Sequence, residues 1–222
     1  MLDIGCATGH MAGLLAQHAK ATQGIDINPL FIEYCRQHAT PNQSFECLDA
    51  SALDTSHLSS IQGIWSSFAL SYLSDPGHFL KKLYDNLPSC AWIGLTDVSN
   101  FISGNMPKEH QFYSLIKDFE NSASQSGLYD FDFGGKLPKL LQTAGFTLTH
   151  WDDNITDPEL NSPKPLLEDQ IVAWQHRLQR MPKLSSTLGQ HFDEFCEAFL
   201  THLASDEHCA QRCVTFAVAV KA

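Results

Sequence analysis

The stretch LDIGCATGH (residues 2–10) places small residues at alternate positions directly after a short apolar run: Gly5, Ala7 and Gly9. Small residues where a strand turns into a helix let a ligand approach the backbone, and the free amides of the helix N-terminus favour a carboxylate or phosphate. In an open α/β sheet such a turn lies at the carboxyl ends of the strands, where ligands bind. The alternative is a tight strand-to-helix turn without a ligand, because short glycine patterns also occur by chance.

Strand-length apolar runs alternate with amphipathic helical patterns along the chain, which indicates βαβ units, a parallel sheet and helices on both faces. Strands are predicted at Leu2–Ile4, Thr22–Ile27, Ser44–Leu48, Gly63–Phe68, Ala91–Val98, Phe146–Trp151 and Cys213–Val220. Helices are predicted at Met11–His18, Leu30–Gln37, Ser51–Leu58, Pro76–Asn86, Lys108–Ser122, Lys136–Ala144, Leu166–Arg180 and Leu188–Ala204.

The composition argues against several classes of protein. The net charge is −11, from 14 Lys and Arg against 25 Asp and Glu, which disfavours a nucleic-acid partner. The sequence has neither an apolar run long enough for a membrane span nor a secretory leader, so a cytoplasmic protein is expected. The seven cysteines form no CxxC pair, which favours reduced thiols. Because the spacing of His208, Cys209 and Cys213 matches no common zinc pattern, no metal is expected.

Two carboxylates end the next two predicted strands: Asp26 in GIDIN (residues 24–28) and Asp49 in CLDAS (residues 47–51). A carboxylate at the first position can accept hydrogen bonds from both hydroxyls of a ribose. One at the second position could accept from the exocyclic amine of an adenine. The alternatives are a solvated strand end or helix cap for Asp26 and a helix cap for Asp49. Together with the glycine turn, these strand ends form an adenosine-shaped arrangement.

The spacing of the small residues separates this pattern from a nicotinamide-binding one. The dinucleotide fingerprint needs small residues at relative positions one, three and six, to admit a pyrophosphate. Here they stand at one, three and five, and the sixth position is His10. The pattern therefore disfavours a pyrophosphate ligand.

These segments resemble those of class I S-adenosylmethionine-dependent methyltransferases. LDIGCATGH is similar to the first motif of that family, LDxGCGTG, with Ala7 where a glycine is commoner. GIDIN, CLDAS, residues 64–98, GGKLPKLLQTAGF (134–146) and CVTFAVAVKA (213–222) resemble its later segments in order. The resemblance implies a doubly wound, Rossmann-like α/β sheet of seven strands in the order 3-2-1-4-5-7-6, with the last strand antiparallel. It also implies S-adenosyl-L-methionine as the cofactor.

The resemblance assigns cofactor contacts to three groups of residues. The methionine end would be held by Asp3, Gly5, Cys6, Ala7 and Gly9. Asp26 would bind the ribose, Ile27 would lie against the adenine, and Asp49 and Ala50 would flank the base. The sulfonium and its methyl group would lie beside the end of the fourth strand, at Ser66, Ser67 and Phe68.

Methyl transfer is an in-line displacement, so the enzyme must chiefly align the acceptor, and a base is needed only if the acceptor loses a proton. The fourth strand ends in SSFAL rather than in the Asn/Asp-Pro-Pro-aromatic signature of exocyclic or amide nitrogen methylation, and a small-molecule acceptor is expected. The residues that could line its pocket are Tyr72, His110, Tyr113, Tyr129, Trp151 and Trp174. The candidate bases are Asp97, His110 and His150.

A single domain over residues 1–222 is predicted, with helical insertions at about 99–134 and 154–208. Family members usually carry helices before the first strand, whereas here Met1 stands at that strand. Either the chain is a truncated product or the insertions close the site. A homodimer is one assembly to test. The alternative function is a non-catalytic protein of methyltransferase fold that acts as a binding or partner subunit.

Overall fold

The computed structural model describes residues 1–162, 165–208, 210 and 214–222. Its seven-stranded mixed sheet has the order β3-β2-β1-β4-β5-β7-β6, which confirms the predicted fold class. The strands are β1 (Leu2–Ile4), β2 (Thr22–Asp26), β3 (Gln43–Cys47), β4 (Gly63–Ser67), β5 (Trp92–Val98), β6 (Thr147–Asp152) and β7 (Val214–Val220).

The first five strands pair in parallel, with β1 between β2 and β4, so their carboxyl ends share one edge of the sheet. The closing strand β7 runs the other way. Lys221, just after β7, donates from its N–H to the Ala91 carbonyl at 2.8 Å and accepts from the Cys90 N–H at 3.0 Å, immediately before β5. Cys213, the predicted first residue of this strand, lies outside the described residues, as does Cys209.

The α-helices of the described residues are α1 (His10–Ala16), α2 (Pro29–His38), α3 (Thr55–Leu58), α4 (Pro76–Asn86), α5 (Tyr113–Gln125), α6 (Phe133–Ala144), α7 (Glu168–Gln179), α8 (Pro182–Leu188) and α9 (Phe192–Leu203). The predicted helix from Lys108 begins only at Tyr113, because the residues before it form a turn in which the His110 N–H donates to the Pro107 carbonyl. The prediction missed α8, which starts at a proline and ends at Gly189, whose φ is +54°.

The chain divides into two compact units. The first contains residues 1–97, 136–151 and 216–222, and the second contains residues 98–135 and 152–215. The ranges of the second unit lie close to the predicted insertions, while the single-domain organisation stays a prediction. None of the helices in the described part of the chain is long and apolar enough to cross a membrane.

An aromatic core stabilises the second unit. The Trp174 ring lies 5.2 Å from Phe101 and 5.3 Å from Phe199, measured between ring centroids. Phe195, Phe199 and Leu203 recur at helical spacing along α9, and all three are fully buried. This unit is thus held by its own core.

Candidate cofactor-binding site

The loop between β1 and α1 is shaped by positive backbone angles at alternate residues: φ is +74° at Gly5, +44° at Ala7 and +80° at Gly9. A Cβ on Gly5 would overlap the Cβ of Ala69, and one on Gly9 would lie 3.0 Å from the Cys35 sulfur. The chain itself therefore requires both glycines. The shape of the loop is thus sufficient to explain the glycine pattern, whether or not the loop binds a ligand.

Ala7 occupies the left-handed region, where the Cβ of an ordinary residue costs about 1–2 kcal/mol. The commoner glycine of the family motif would adopt this angle without that cost. The sequence shows that an alanine replaces the commoner glycine here, but it does not show that φ is positive at this residue.

Asp26, at the end of β2, connects this loop to its own strand end. Its Oδ2 accepts from the Ala7 N–H and its Oδ1 from the Asn28 N–H, both at 2.9 Å. Each carboxylate oxygen can accept a second hydrogen bond, so the Asp26 carboxylate retains capacity for hydroxyl donors. Ile27 follows it and is 70% exposed, an apolar surface beside the carboxylate.

Asp49 caps the short turn Ala50–Ala52 that follows β3. Its Oδ1 accepts from the Ser51 N–H at 2.8 Å, and hydrogen bonding to Ser51 lowers the pKa of the carboxyl. The capping role weighed for Asp49 from the sequence is therefore observed. The Leu48 N–H donates to the Asp26 carbonyl at 3.0 Å, which holds the ends of β2 and β3 together.

Asp3 of β1 lies beneath the loop and is only 2% exposed. Its Oδ2 is buried and has no hydrogen-bond partner in the part of the chain that the structure describes. Burial raises the pKa of this carboxyl to about 7, against the opposing effect of a hydrogen bond from the Ala12 amide; the negative charge of Asp26 adds to the rise. A cationic ligand group beside Oδ2 would supply the missing partner.

The Cys6 side chain packs inward, in a buried cluster with Ala12, Ile32, Cys35 and Phe45. Burial raises the pKa of the Cys6 thiol, with smaller contributions from Asp3 and Cys35. Because the thiolate is the reactive form, Cys6 is a poor nucleophile here.

At the end of β4, the three predicted residues face different partners. The buried Ser66 hydroxyl donates to the Ile4 carbonyl at 2.9 Å, and the Ser67 hydroxyl accepts from the Trp65 indole N–H at 2.7 Å. Phe68 has a φ of +54°, and its N–H donates to the Thr96 carbonyl at 2.8 Å. A bulky residue in this region is strained, and such strain concentrates at functional sites.

The candidate bases are in different places. Asp97, only 2% exposed, follows Thr96 in β5 at the edge that holds Phe68. His150 lies in β6, four strand positions and about 19 Å from β1, where its ring is 5.8 Å from that of Phe216. His110 belongs to the second unit; its Nδ1 accepts from the Phe112 N–H at 3.2 Å, and burial lowers its pKa.

Two residues of the turn after β4, Ser71 and Tyr72, were not among the cofactor-binding or catalytic residues predicted from the sequence. Ser71 is 2% exposed, and its hydroxyl has no hydrogen-bond partner among the described residues. Tyr72 was expected only to line a pocket, and it is 66% exposed. No sequence signal marks Ser71, since a serine in a turn is ordinarily solvated. Within the described ranges, no group of three or more His, Cys, Asp or Glu residues is placed to hold a metal.

The part of the chain that contains this edge of the sheet matches a known protein family. The sequence model of the methyltransferase domain family matches residues 1–89, which contain the loop after β1 and the ends of β2, β3 and β4. A search of the curated proteins gives no match.

Solved structures share the fold of the whole chain at low identity. An S-adenosylmethionine-dependent methyltransferase from Mesorhizobium loti is 15% identical, with a TM-score of 0.56 over 99% of this chain and 89% of that one. A cyclopropane synthase from Mycobacterium tuberculosis is 16% identical, with a TM-score of 0.60 over 99% and 77%.

A phosphoethanolamine N-methyltransferase from Haemonchus contortus, in complex with phosphomonomethylethanolamine and S-adenosylhomocysteine, is 16% identical. Its TM-score is 0.60 over 100% of this chain and 48% of that one. These similarities concern the fold alone. The match to the methyltransferase domain family covers residues 1–89, and the sheet order of the described chain is that of the Rossmann-like methyltransferase fold.

Proposed function

We propose that the protein transfers a methyl group from S-adenosylmethionine to a small-molecule acceptor at the carboxyl edge of β1 to β5. The observation that carries this proposal is Asp3, a buried carboxylate with one oxygen that no described residue pairs with. An α-ammonium group of the cofactor's methionine end fits that requirement, because a buried charge is stabilised by a hydrogen-bonded opposite charge.

The remaining cofactor contacts follow the same edge. The methionine end lies along the backbone of Gly5, Cys6, Ala7 and Gly9. The ribose hydroxyls donate to the free acceptor positions of Asp26, and the adenine covers the exposed Ile27. Asp49 and Ala50 flank the base from β3, and Ser66, Ser67 and Phe68 from β4 lie beside the transferred methyl.

The bound cofactor supplies a methyl group on a cationic sulfonium, which is already an activated leaving group. When bound, it would allow a lone pair of the acceptor to bond to the methyl carbon, with the electrons of the broken carbon–sulfur bond left on sulfur. This chain's contribution is alignment, for which positioning can supply about 7–11 kcal/mol. Where the acceptor must lose a proton, Asp97 is the candidate base at this edge; His110 and His150 remain predictions.

A small acceptor is favoured by two observations. The net charge of −11 disfavours a polyanionic substrate. In addition, the chain at the end of β4 reads SSFAL (residues 66–70) rather than an Asn/Asp-Pro-Pro-aromatic signature. The phosphoethanolamine enzyme that shares the fold carries a small acceptor in its structure.

Calorimetry with S-adenosylhomocysteine and a labelling assay test this proposal. We expect binding that Asp26→Ala abolishes, and transfer of label from methyl-labelled S-adenosylmethionine to the small-molecule fraction of a cell extract. Exposed Asp85 provides a matched control, Asp85→Ala, which keeps wild-type binding. No binding at millimolar ligand would contradict the cofactor site. Label only in macromolecules would contradict the acceptor class.

A further inference from the structure

We propose that Tyr72 contacts the methyl acceptor, and that its neutral phenol positions the acceptor by a hydrogen bond. The inference depends on the proposed function, because it places the acceptor at the edge where the cofactor's methyl group would lie. It gives the acceptor a chemical requirement: a lone pair, within reach of the Tyr72 hydroxyl, that is separate from the reacting atom.

The turn that carries Tyr72 packs on the loop after β1. This turn, Leu70–Tyr72, is closed by the Tyr72 N–H, which donates to the Ala69 carbonyl at 3.3 Å. Ala69 is the residue whose Cβ would overlap a side chain on Gly5. Tyr72 is therefore three residues from a direct contact with the candidate cofactor loop.

The turn and the chain just before it have two features that indicate a ligand rather than internal packing. Phe68, just before it, holds a left-handed backbone angle of +54° that its own side chain disfavours. Ser71 buries a hydroxyl that has no hydrogen-bond partner in the described structure. Unsatisfied buried polar groups and strained backbone in one short segment are typical of a site that a ligand completes.

Exposure decides which side chain can reach an acceptor. Asp97 is 2% exposed, whereas Tyr72 is 66% exposed. Partial burial of the phenol and the negative charge of Asp97 both raise the pKa of Tyr72. The hydroxyl therefore stays protonated at neutral pH, where it donates a hydrogen bond and does not remove a proton.

Label transfer to a small-molecule extract separates positioning from proton removal without naming the acceptor. Rates are measured over a dilution series of the extract, so that apparent KM is expressed as extract concentration. For Tyr72→Phe we expect apparent KM to rise about threefold to tenfold, the value of one hydrogen bond, with kcat nearly unchanged. Tyr34→Phe, at a 49% exposed tyrosine of α2, is the matched control.

Three outcomes are distinguishable in that assay. Unchanged KM for Tyr72→Phe overturns the inference while the proposed function stands. A large fall in kcat with a shifted pH profile also overturns it, because the phenol would then be acting as a base. If the wild-type protein transfers no label, the proposed function fails, and a second measurement decides the placement of Tyr72.

That measurement is hydroxyl-radical footprinting, read by peptide mass spectrometry, with and without S-adenosylhomocysteine. We expect the ligand to slow modification of Tyr72 and to leave Tyr34 unchanged. Equal modification of Tyr72 with saturating ligand, in protein shown by calorimetry to bind it, would place this residue away from the donor and overturn the inference.

Discussion

Two buried carboxylates, one in each unit, differ in the hydrogen-bond partners that surround them. Glu120 of α5 is 3% exposed and accepts from the Ile102 N–H at 2.8 Å and from the Ser103 N–H and hydroxyl at 3.1 and 2.6 Å. The Lys117 ammonium lies 3.5 Å away. Asp3 of β1 is similarly buried, at 2%, and one of its oxygens has no hydrogen-bond partner within the described ranges.

The difference separates a structural acid from a candidate ligand-binding acid. Glu120 receives its hydrogen bonds from residues of its own unit, and these bonds hold the segment that follows β5 in place. Asp3 leaves an electrostatic requirement unmet, at an edge that also contains left-handed Ala7 and Phe68 and the unpaired hydroxyl of Ser71. Proteins retain such costs where function needs them, so incomplete satisfaction is the more informative signal.

Removal of the satisfied acid gives the largest expected effect on stability. Glu120→Ala leaves two buried amides and a hydroxyl without their acceptor, and we expect a loss of about 3–5 kcal/mol in the free energy of unfolding. Chemical denaturation measures this loss. Glu120→Gln keeps an acceptor for the Ile102 N–H and should lose clearly less; equal losses would show that cavity formation, not hydrogen bonding, dominates.

Neutralising the unsatisfied acid should act on binding instead. Asp3→Asn removes a charged hydrogen-bond acceptor from the cofactor's ammonium, so S-adenosylhomocysteine should bind about 10- to 150-fold more weakly. The apo protein should not be less stable at pH 8. Calorimetry and thermal unfolding test the two effects, with Asp85→Asn as the surface control. Wild-type affinity in Asp3→Asn would mean that the unpaired oxygen has no role in cofactor binding.

The contributions of Asp3 to folding stability and to cofactor affinity should change in opposite directions with pH. The pKa of Asp3 is raised from 3.8 to about 7, so its contribution to folding is complete below pH 3.8 and is lost as pH rises through 7. Three pH units correspond to at most about 4 kcal/mol. Cofactor binding needs the ionised form, so affinity should rise over the same interval. Denaturation and calorimetry from pH 5 to 8 should show both trends in the wild type and neither in Asp3→Asn.

The smallest effect is expected at Ala7. Ala7→Gly relieves a left-handed backbone angle but adds chain entropy to the unfolded state, for a net gain of about 0.5–1 kcal/mol. Ala16→Gly, at a helical position of α1, should lose about as much. Denaturation of the pair gives the difference directly. A destabilised Ala7→Gly would show that the loop adopts a negative φ at this residue in solution.

Much of the site could be predicted because it depends on order along the chain. Strand ends in a parallel sheet share an edge, so Asp26 and Asp49 were placed there from strand boundaries alone. The unpaired oxygen of Asp3 could not be predicted, because a strand residue carries no mark of which neighbours approach it. The separation of His150 from β1 follows from the sheet order that the resemblance implies, and not from the residue type. The helix α8 was missed because a seven-residue helix has too short an apolar pattern.

The sequence by itself determined the strands, the glycine-rich turn and the series of strand ends, since periodicity and turn residues are local properties of the chain. The sheet order followed from the resemblance to a known family. Only the tertiary structure decided that Gly5 must accommodate Ala69, that Asp26 already holds the Ala7 amide, and that Asp3 and Ser71 are left unsatisfied. These are contacts between segments distant along the chain. Both carboxyl groups are buried. The neighbours of Glu120 supply it with hydrogen-bond donors, whereas one oxygen of Asp3 receives none from the described residues.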